Sequence, residues 1–264
     1  MSTRVLITGG AGGIGAAATA ELRRRGARVI GLDLHAGGEE MIACDVRDQA
    51  SVDHAVAEAI ERLGGLDVLI NNAGVGHPQS AGAVPDKQAL ELLEVNLVGP
   101  WRVTAAALSA LREANGRVVN VASGLAHVTP PFATAYCMSK RGLVGYSDAL
   151  RLEHGDAITV TTVYPGYIRT PIHESSTAAG IRLEGAVPAE KVQDAAHALA
   201  RAALGSPVRD LATTRRGALS YALAARAPRG LLDRIVRTQV RRLARRGHFG
   251  GSELARDFAA RVQA

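Results

Sequence analysis

From Arg4 onward, short runs of β-branched and aliphatic residues alternate with longer Ala-rich stretches whose apolar positions recur every three or four residues. The short runs predict strands at Val5–Thr8, Arg28–Leu32, Asp67–Ile70, Arg117–Val121 and Ile158–Val163. The long stretches predict helices at about Ala16–Arg25, Ser51–Leu63, Asp86–Glu113, Ala135–Glu153 and Ala189–Leu204. Strands separated by helical crossovers pair in parallel, so the expected fold is α/β: a doubly wound sheet in a three-layer α/β/α sandwich. No internal repeat or low-complexity linker interrupts residues 1–200, and a second domain has nowhere to begin there.

Composition narrows the picture further. A chain of 264 residues that is 47% hydrophobic and 21% charged holds one large core and is no disordered tail. Aromatic residues are only 3%, so that core is built from Val, Leu, Ile and Ala. Uncharged apolar stretches such as Gly217 to Ala225 fall short of the ~20 residues of a membrane span, and no signal-type segment follows Met1. A cytoplasmic protein is expected. Cys44 and Cys137 have no Cys or His at ligand spacing, which leaves two free thiols and no zinc site. The eight His show no metal-binding spacing. The net charge of +6 hides an asymmetry, since residues 1–200 are net −4 and residues 201–264, with 14 Arg, are net +10.

Directly after the first strand stands TGGAGGIG, Thr8 to Gly15, with a helix opening behind it. Such glycines let backbone approach a pyrophosphate closely and set the anion at the helix N-terminus. The second strand runs on to Asp33, where a carboxylate accepts hydrogen bonds from ribose hydroxyls and repels a 2′-phosphate. The glycine loop carries no Arg or Lys to offset that repulsion, which favours NAD over NADP. The plainer readings are a tight turn and a strand-ending Asp.

Tyr136 and Lys140 stand four positions apart in a helical stretch and share one face. A phenol with a reference pKa near ~10 is a poor base, and an adjacent ammonium favours its phenolate. Ser123 follows the strand Arg117–Val121, at the carboxyl end of the sheet where open α/β proteins bind ligands, and offers a hydroxyl to a substrate oxygen. Taken alone, a Tyr–Lys pair at this spacing also describes a solvated surface.

TGGAGGIG at 8–15, NNAG at 71–74, Asn96, Ser123, YCMSK at 136–140 and PG at 165–166 occur in one order. The set resembles the short-chain dehydrogenase/reductase family in its single-domain type, over roughly residues 3–213. The resemblance implies a Rossmann-type sheet of about seven parallel strands, NAD(P)-dependent alcohol–carbonyl interconversion, and homodimers or homotetramers formed through two long helices. It also implies that Tyr136 is the general acid/base, that Lys140 lowers its pKa and binds the nicotinamide ribose, that Ser123 positions the substrate oxygen, and that Asn96 anchors a proton-relay water. By the same similarity Thr8, Gly9, Gly13, Ile14 and Gly15 line the pyrophosphate, Asp33 meets the adenosine ribose, and Asp45 with Val46 meets the adenine. Asn72, Ala73 and Gly74 form a platform under the ribose, while Pro165, Gly166, Ile168 and Thr170 seat the carboxamide. For Asn71 to Gly74 a stabilising turn is the alternative role.

The segments that shape the family's substrate pocket are here Val75–Pro85, Gly124–Thr134 and Pro171–Pro188. Leu125, Val128, Pro130, Pro131, Phe132, Ile172 and Ile181 in them point to a small hydrophobic alcohol or carbonyl substrate, with loop residues packing on themselves as the plain alternative. His127 and His173 read as polar wall residues. A cofactor-sensing or scaffold protein with little turnover is the rival function, disfavoured by the complete Asn–Ser–Tyr–Lys set. A nucleic-acid partner is not expected, because no aromatic residues interleave with the basic run Arg234–Arg246. Residues 1–213 read as the catalytic domain and 214–264 as an Arg-rich extension of it. Within 217–249, Leu231, Leu232, Ile235, Val236, Val240 and Leu243 predict a basic amphipathic helix. Its stripe packs either on protein or on an anionic membrane surface.

Overall fold

The computed structural model describes residues 2–35, 37–181, 189–249 and 251–263. In chain order the elements are β1 (Arg4–Thr8), α1 (Gly13–Arg24), β2 (Arg28–Asp33), β3 (Met41–Ala43), α2 (Gln49–Leu63), β4 (Val68–Asn71), α3 (Lys87–Leu93), α4 (Gly99–Glu113) and β5 (Arg117–Val121). There follow α5 (Thr134–His154), β6 (Thr159–Tyr164), β7 (Tyr167–Ile168), α6 (Glu174–Ala178), β8 (Ala189–Glu190), α7 (Val192–Leu204), β9 (Asp210–Ala212), α8 (Arg215–Arg226), α9 (Arg229–Arg245) and α10 (Arg256–Gln263).

Seven strands form one parallel sheet in the order β3-β2-β1-β4-β5-β6-β9, and β7 pairs with β8 in a small separate ribbon. Side chains along each strand alternate between two buried layers. In β1, Leu6 faces α2 and α4 with Val56, Ala107 and Leu111, while Val5 and Ile7 face α1 and α7 with Leu22 and Leu199. Covering on both faces explains why the strands read as unbroken apolar runs. The alanines of α7, Ala195, Ala198 and Ala202 among them, are buried and let this helix approach α1 closely. Chain direction through the sheet reverses between β1 and β4, which opens a crevice beyond their carboxyl ends.

Three sequence expectations are corrected. The predicted helix Asp86–Glu113 is α3 and α4 joined by a π-helical turn, Glu94–Val98. There Gly99 donates to the Glu94 carbonyl five residues back, and Pro100, lacking an N–H, sits in the first turn of α4. The single tail helix over 217–249 is two helices, because Pro228 removes a donor and holds Ala227 extended at ψ 141°. Only α7 from Val192 is helical in the predicted stretch Ala189–Leu204, since Ala189 and Glu190 pair with β7. Strands β3 and β9 escaped prediction at three residues each, shorter than a periodic pattern can mark.

Candidate active site

The cofactor cradle is fixed by backbone. Gly9 and Gly13 take φ of +65° and +54°, in the left-handed region that favours glycine. A β-carbon on Gly15 would overlap the Gly9 carbonyl, so the turn has no room for a side chain. Gly12 caps α1 without any side-chain acceptor, and the first N–H groups of the helix remain available to an anion. The residues therefore fit a pyrophosphate. Behind the loop, the Thr8 hydroxyl accepts from the N–H groups of Asn72 at 3.0 Å and Ala73 at 2.9 Å. Asn72 Nδ2 donates to the carbonyls of Thr8 at 3.0 Å and Gly9 at 3.2 Å. Asn71 is buried and donates to Thr104 Oγ1 and Asn120 Oδ1, and Asn120 donates in turn to Ser147. These bonds tie β4 and β5 to α4 and α5, so the Asn71–Gly74 segment braces the crevice as well as facing it.

At the tip of β2, Asp33 Oδ2 accepts from the Ala11 N–H at 3.1 Å, which turns the carboxylate toward the glycine loop. Asp45 is engaged by Arg47, whose guanidinium also pairs with Glu91; the guanidinium holds the Asp45 carboxyl below its usual range. Val46 is buried against Gly99. Across the crevice the Pro165 carbonyl accepts from Gly124 N at 2.9 Å, and the Thr170 methyl lies 3.6 Å from where a β-carbon of Gly13 would stand. Ile168 is buried nearby in β7. The segment assigned to the carboxamide thus spans the gap between Ser123 and the glycine loop.

The four predicted catalytic residues converge. Tyr136 stands in the first turn of α5, with the Ser123 hydroxyl beside it acting to favour its phenolate. Lys140, one turn on, is buried and donates to the Val121 carbonyl at 2.9 Å, with Nζ 5.8 Å from the Tyr136 ring centre. Burial pushes the Lys140 pKa down to about 8 and that of Tyr136 up to about 12, although the Ser123 contact favours the phenolate. The chain alone therefore leaves the phenol above its ordinary value, because desolvation outweighs the Ser123 contact. Asn96 sits fully buried in the π-turn, where Oδ1 accepts from Val75 N at 2.8 Å and Nδ2 donates to Val75 O at 2.9 Å. Gly74 separates it from Lys140: a β-carbon there would stand 3.3 Å from Asn96 Oδ1 and 3.7 Å from Lys140 Nζ.

The substrate side differs from expectation. Phe132 and Ile181 do not line an open pocket; they are buried with Val240, Ala244 and Phe249 in a cluster that fastens the tail to the catalytic domain. Ile172 packs on Gly76, and the end of the predicted loop, residues 182–188, lies outside the described residues. The His127 ring lies 4.8 Å from that of Tyr164 and 5.4 Å from that of Tyr221. Sequence reasoning missed Tyr221 on α8 and Glu190. The Glu190 carboxylate accepts from Gly166 N at 3.0 Å and from the hydroxyls of Thr213 and Thr214, joining the Pro165–Gly166 segment to the start of α8. Neither residue belongs to a local motif; both act across long sequence separation.

Comparison with known proteins agrees with this geometry. Oxidoreductase UcpA of Salmonella typhimurium is 36% identical over 186 residues, covering 64% of this chain and 71% of that protein. The 3-oxoacyl-(acyl-carrier-protein) reductase FabG of Haemophilus influenzae is 32% identical over 185 residues, covering 65% and 76%. The ligand-free aldohexose dehydrogenase of Thermoplasma acidophilum has a TM-score of 0.73 at 25% identity, covering 86% of this chain and 96% of that one. The profile of the short chain dehydrogenase family matches residues 3–180, and the chain belongs to that family of NAD(P)-binding oxidoreductases.

Proposed function

We propose that the chain is an NAD-dependent enzyme interconverting a hydrophobic secondary alcohol and its ketone or aldehyde, with Tyr136 as general acid and base. The observation that carries the reading is the convergence of Ser123 and Tyr136 beside a buried Lys140, whose ammonium donates to the Val121 carbonyl at the end of β5. Two hydroxyls meeting at the carboxyl end of the sheet offer one substrate oxygen a proton partner and a fixed hydrogen bond. The bound nicotinamide supplies the hydride acceptor or donor. In oxidation the Tyr136 oxygen takes the hydroxyl proton; in reduction it returns it. Ser123 holds the reacting oxygen, and the Lys140 ammonium favours the phenolate against the cost of burial. Pro100 has no N–H, so the Asn96 carbonyl lacks the donor four residues on and suits a proton relay next to Lys140.

Gly9, Gly13, Ile14 and Gly15 would hold the pyrophosphate, Asp33 the adenosine ribose, Asp45 and Val46 the adenine, and Asn72 to Gly74 with Lys140 the other ribose. Asp33 supports NAD, because a 2′-phosphate would meet its charge uncompensated. The next Lys or Arg in the chain, Arg47, is already held by Asp45 and Glu91. Aromatic walls from His127, Tyr164 and Tyr221 support an apolar substrate. Trp101, exposed and tilted against Tyr146, together with exposed Leu152 leaves apolar surface on α4 and α5. That surface supports assembly into dimers or tetramers.

The test is turnover of a panel of hydrophobic alcohols and ketones with NAD and NADP, read by absorbance of the reduced nicotinamide. Tyr136→Phe should remove turnover and keep cofactor binding. Wild-type rates in that variant would overturn the mechanism; cofactor binding without turnover of any panel member would favour a sensor.

A further inference from the structure

Helices α8 and α9 each have two unlike faces. Helix α8 turns Tyr221 inward onto Gly124 and His127, while Leu219 and Leu223, two positions to either side, are 65% and 63% exposed. Helix α9 buries Val240 and Ala244 in the tail cluster, yet leaves Leu231 and Ile235 48% and 52% exposed. The stripe read from the sequence is thus divided: part packs on protein and part faces out. From Arg215 to Arg246 stand ten arginines and one carboxylate, Asp233. All ten arginines are exposed, and among the described residues none has a carboxylate within ion-pair distance.

We propose that the outer faces of α8 and α9 dock on an anionic lipid bilayer. Exposed aliphatic side chains between unpaired arginines match a surface that is anionic outside and apolar just beneath. A nucleic acid would satisfy the arginines and leave the leucines in water, and no outward aromatic residue is present on these faces to stack a base. A second copy would set ten arginines against ten. Among the described residues no helix is long and apolar enough to cross a membrane, so the contact is peripheral. Since the inner face of α8 touches the loop after Ser123, docking brings the substrate cleft to the lipid.

The experiment is flotation of the full chain with vesicles of phosphatidylcholine alone and with added phosphatidylglycerol. The proposal expects binding to the anionic vesicles only, weakened by high salt. It also expects a loss of about tenfold or more in the variant Leu219→Gln/Leu223→Gln/Leu231→Gln/Ile235→Gln and in Arg237→Glu/Arg241→Glu. Thermal unfolding checks that both variants are folded. No flotation of the parent overturns the proposal. So does undiminished flotation of the glutamine variant, which would reduce the effect to non-specific charge. Conversion of an oligomer to a monomer by that variant, without vesicle binding by the parent, would assign the face to a subunit interface.

Discussion

The ring of Tyr221 lies so close against Gly124 that a β-carbon at position 124 would overlap it, and Gly124 directly follows Ser123. A residue 98 positions downstream of Ser123 thus forms the wall beside it. Tyr221→Ala removes that wall and should raise kcat/KM for bulky ketones over small ones by about fivefold to tenfold, the scale of a pocket contact. A size series measured on both proteins checks this; an unchanged ratio would mean that substrates do not reach α8.

Lys140 contributes opposite signs to stability and activity. Its native pKa of about 8 lies below the ordinary 10.5, so between these values the unfolded chain binds more protons and stability rises with pH. Below about 8 the full cost of the buried ammonium is present, on the order of 3 kcal/mol. Lys140→Met should therefore melt at or above the parent temperature at pH 7, with the difference shrinking toward pH 10, while losing turnover. A thermal unfolding series over that range reads the effect; a constant difference would assign the change to packing.

Much of this arrangement was legible in the chain because its signals are local. The glycine loop, the Tyr136–Lys140 spacing and the five main strands each occupy a few consecutive residues, and helix or strand period places them on one face. Asp33 stood at a strand tip for the same reason. What stayed hidden depends on distant residues. Nothing near Glu190 marks it as the acceptor for Gly166, Thr213 and Thr214, and Phe132 looked like a pocket residue until Phe249 and Phe258 packed on it. The π-turn at Asn96 was obscured because one extra residue per turn hardly alters apolar spacing.

Asp33→Ala should narrow the preference for NAD over NADP. The carboxylate is half-buried and held toward the loop by Ala11 N, where it is placed to accept from ribose hydroxyls. Losing a charged hydrogen bond costs about 1.5–3 kcal/mol, which corresponds to about tenfold to a hundredfold in kcat/KM with NAD. NADP should lose nothing or gain. Steady-state kinetics with both cofactors decide, and a parent enzyme that prefers NADP would refute the role given to Asp33.

Phe132 joins the tail to the loop preceding Tyr136. Its ring meets Phe249 and Phe258 edge-on at 6.0 Å and 5.3 Å, and its backbone is held at φ +63°, where a β-carbon is unfavourable. Removing the ring should cost about 3–5 kcal/mol of tail packing. Alanine keeps the backbone penalty and glycine relieves it, so Phe132→Gly should be the more stable of the two by about 1 kcal/mol, the reverse of the usual order. Because α9 is rich in arginine, trypsin should cut the tail faster in both variants and leave the sheet domain intact, with Ala cut faster than Gly. Equal cleavage of parent and variants would show that the tail is held by contacts other than this aromatic cluster.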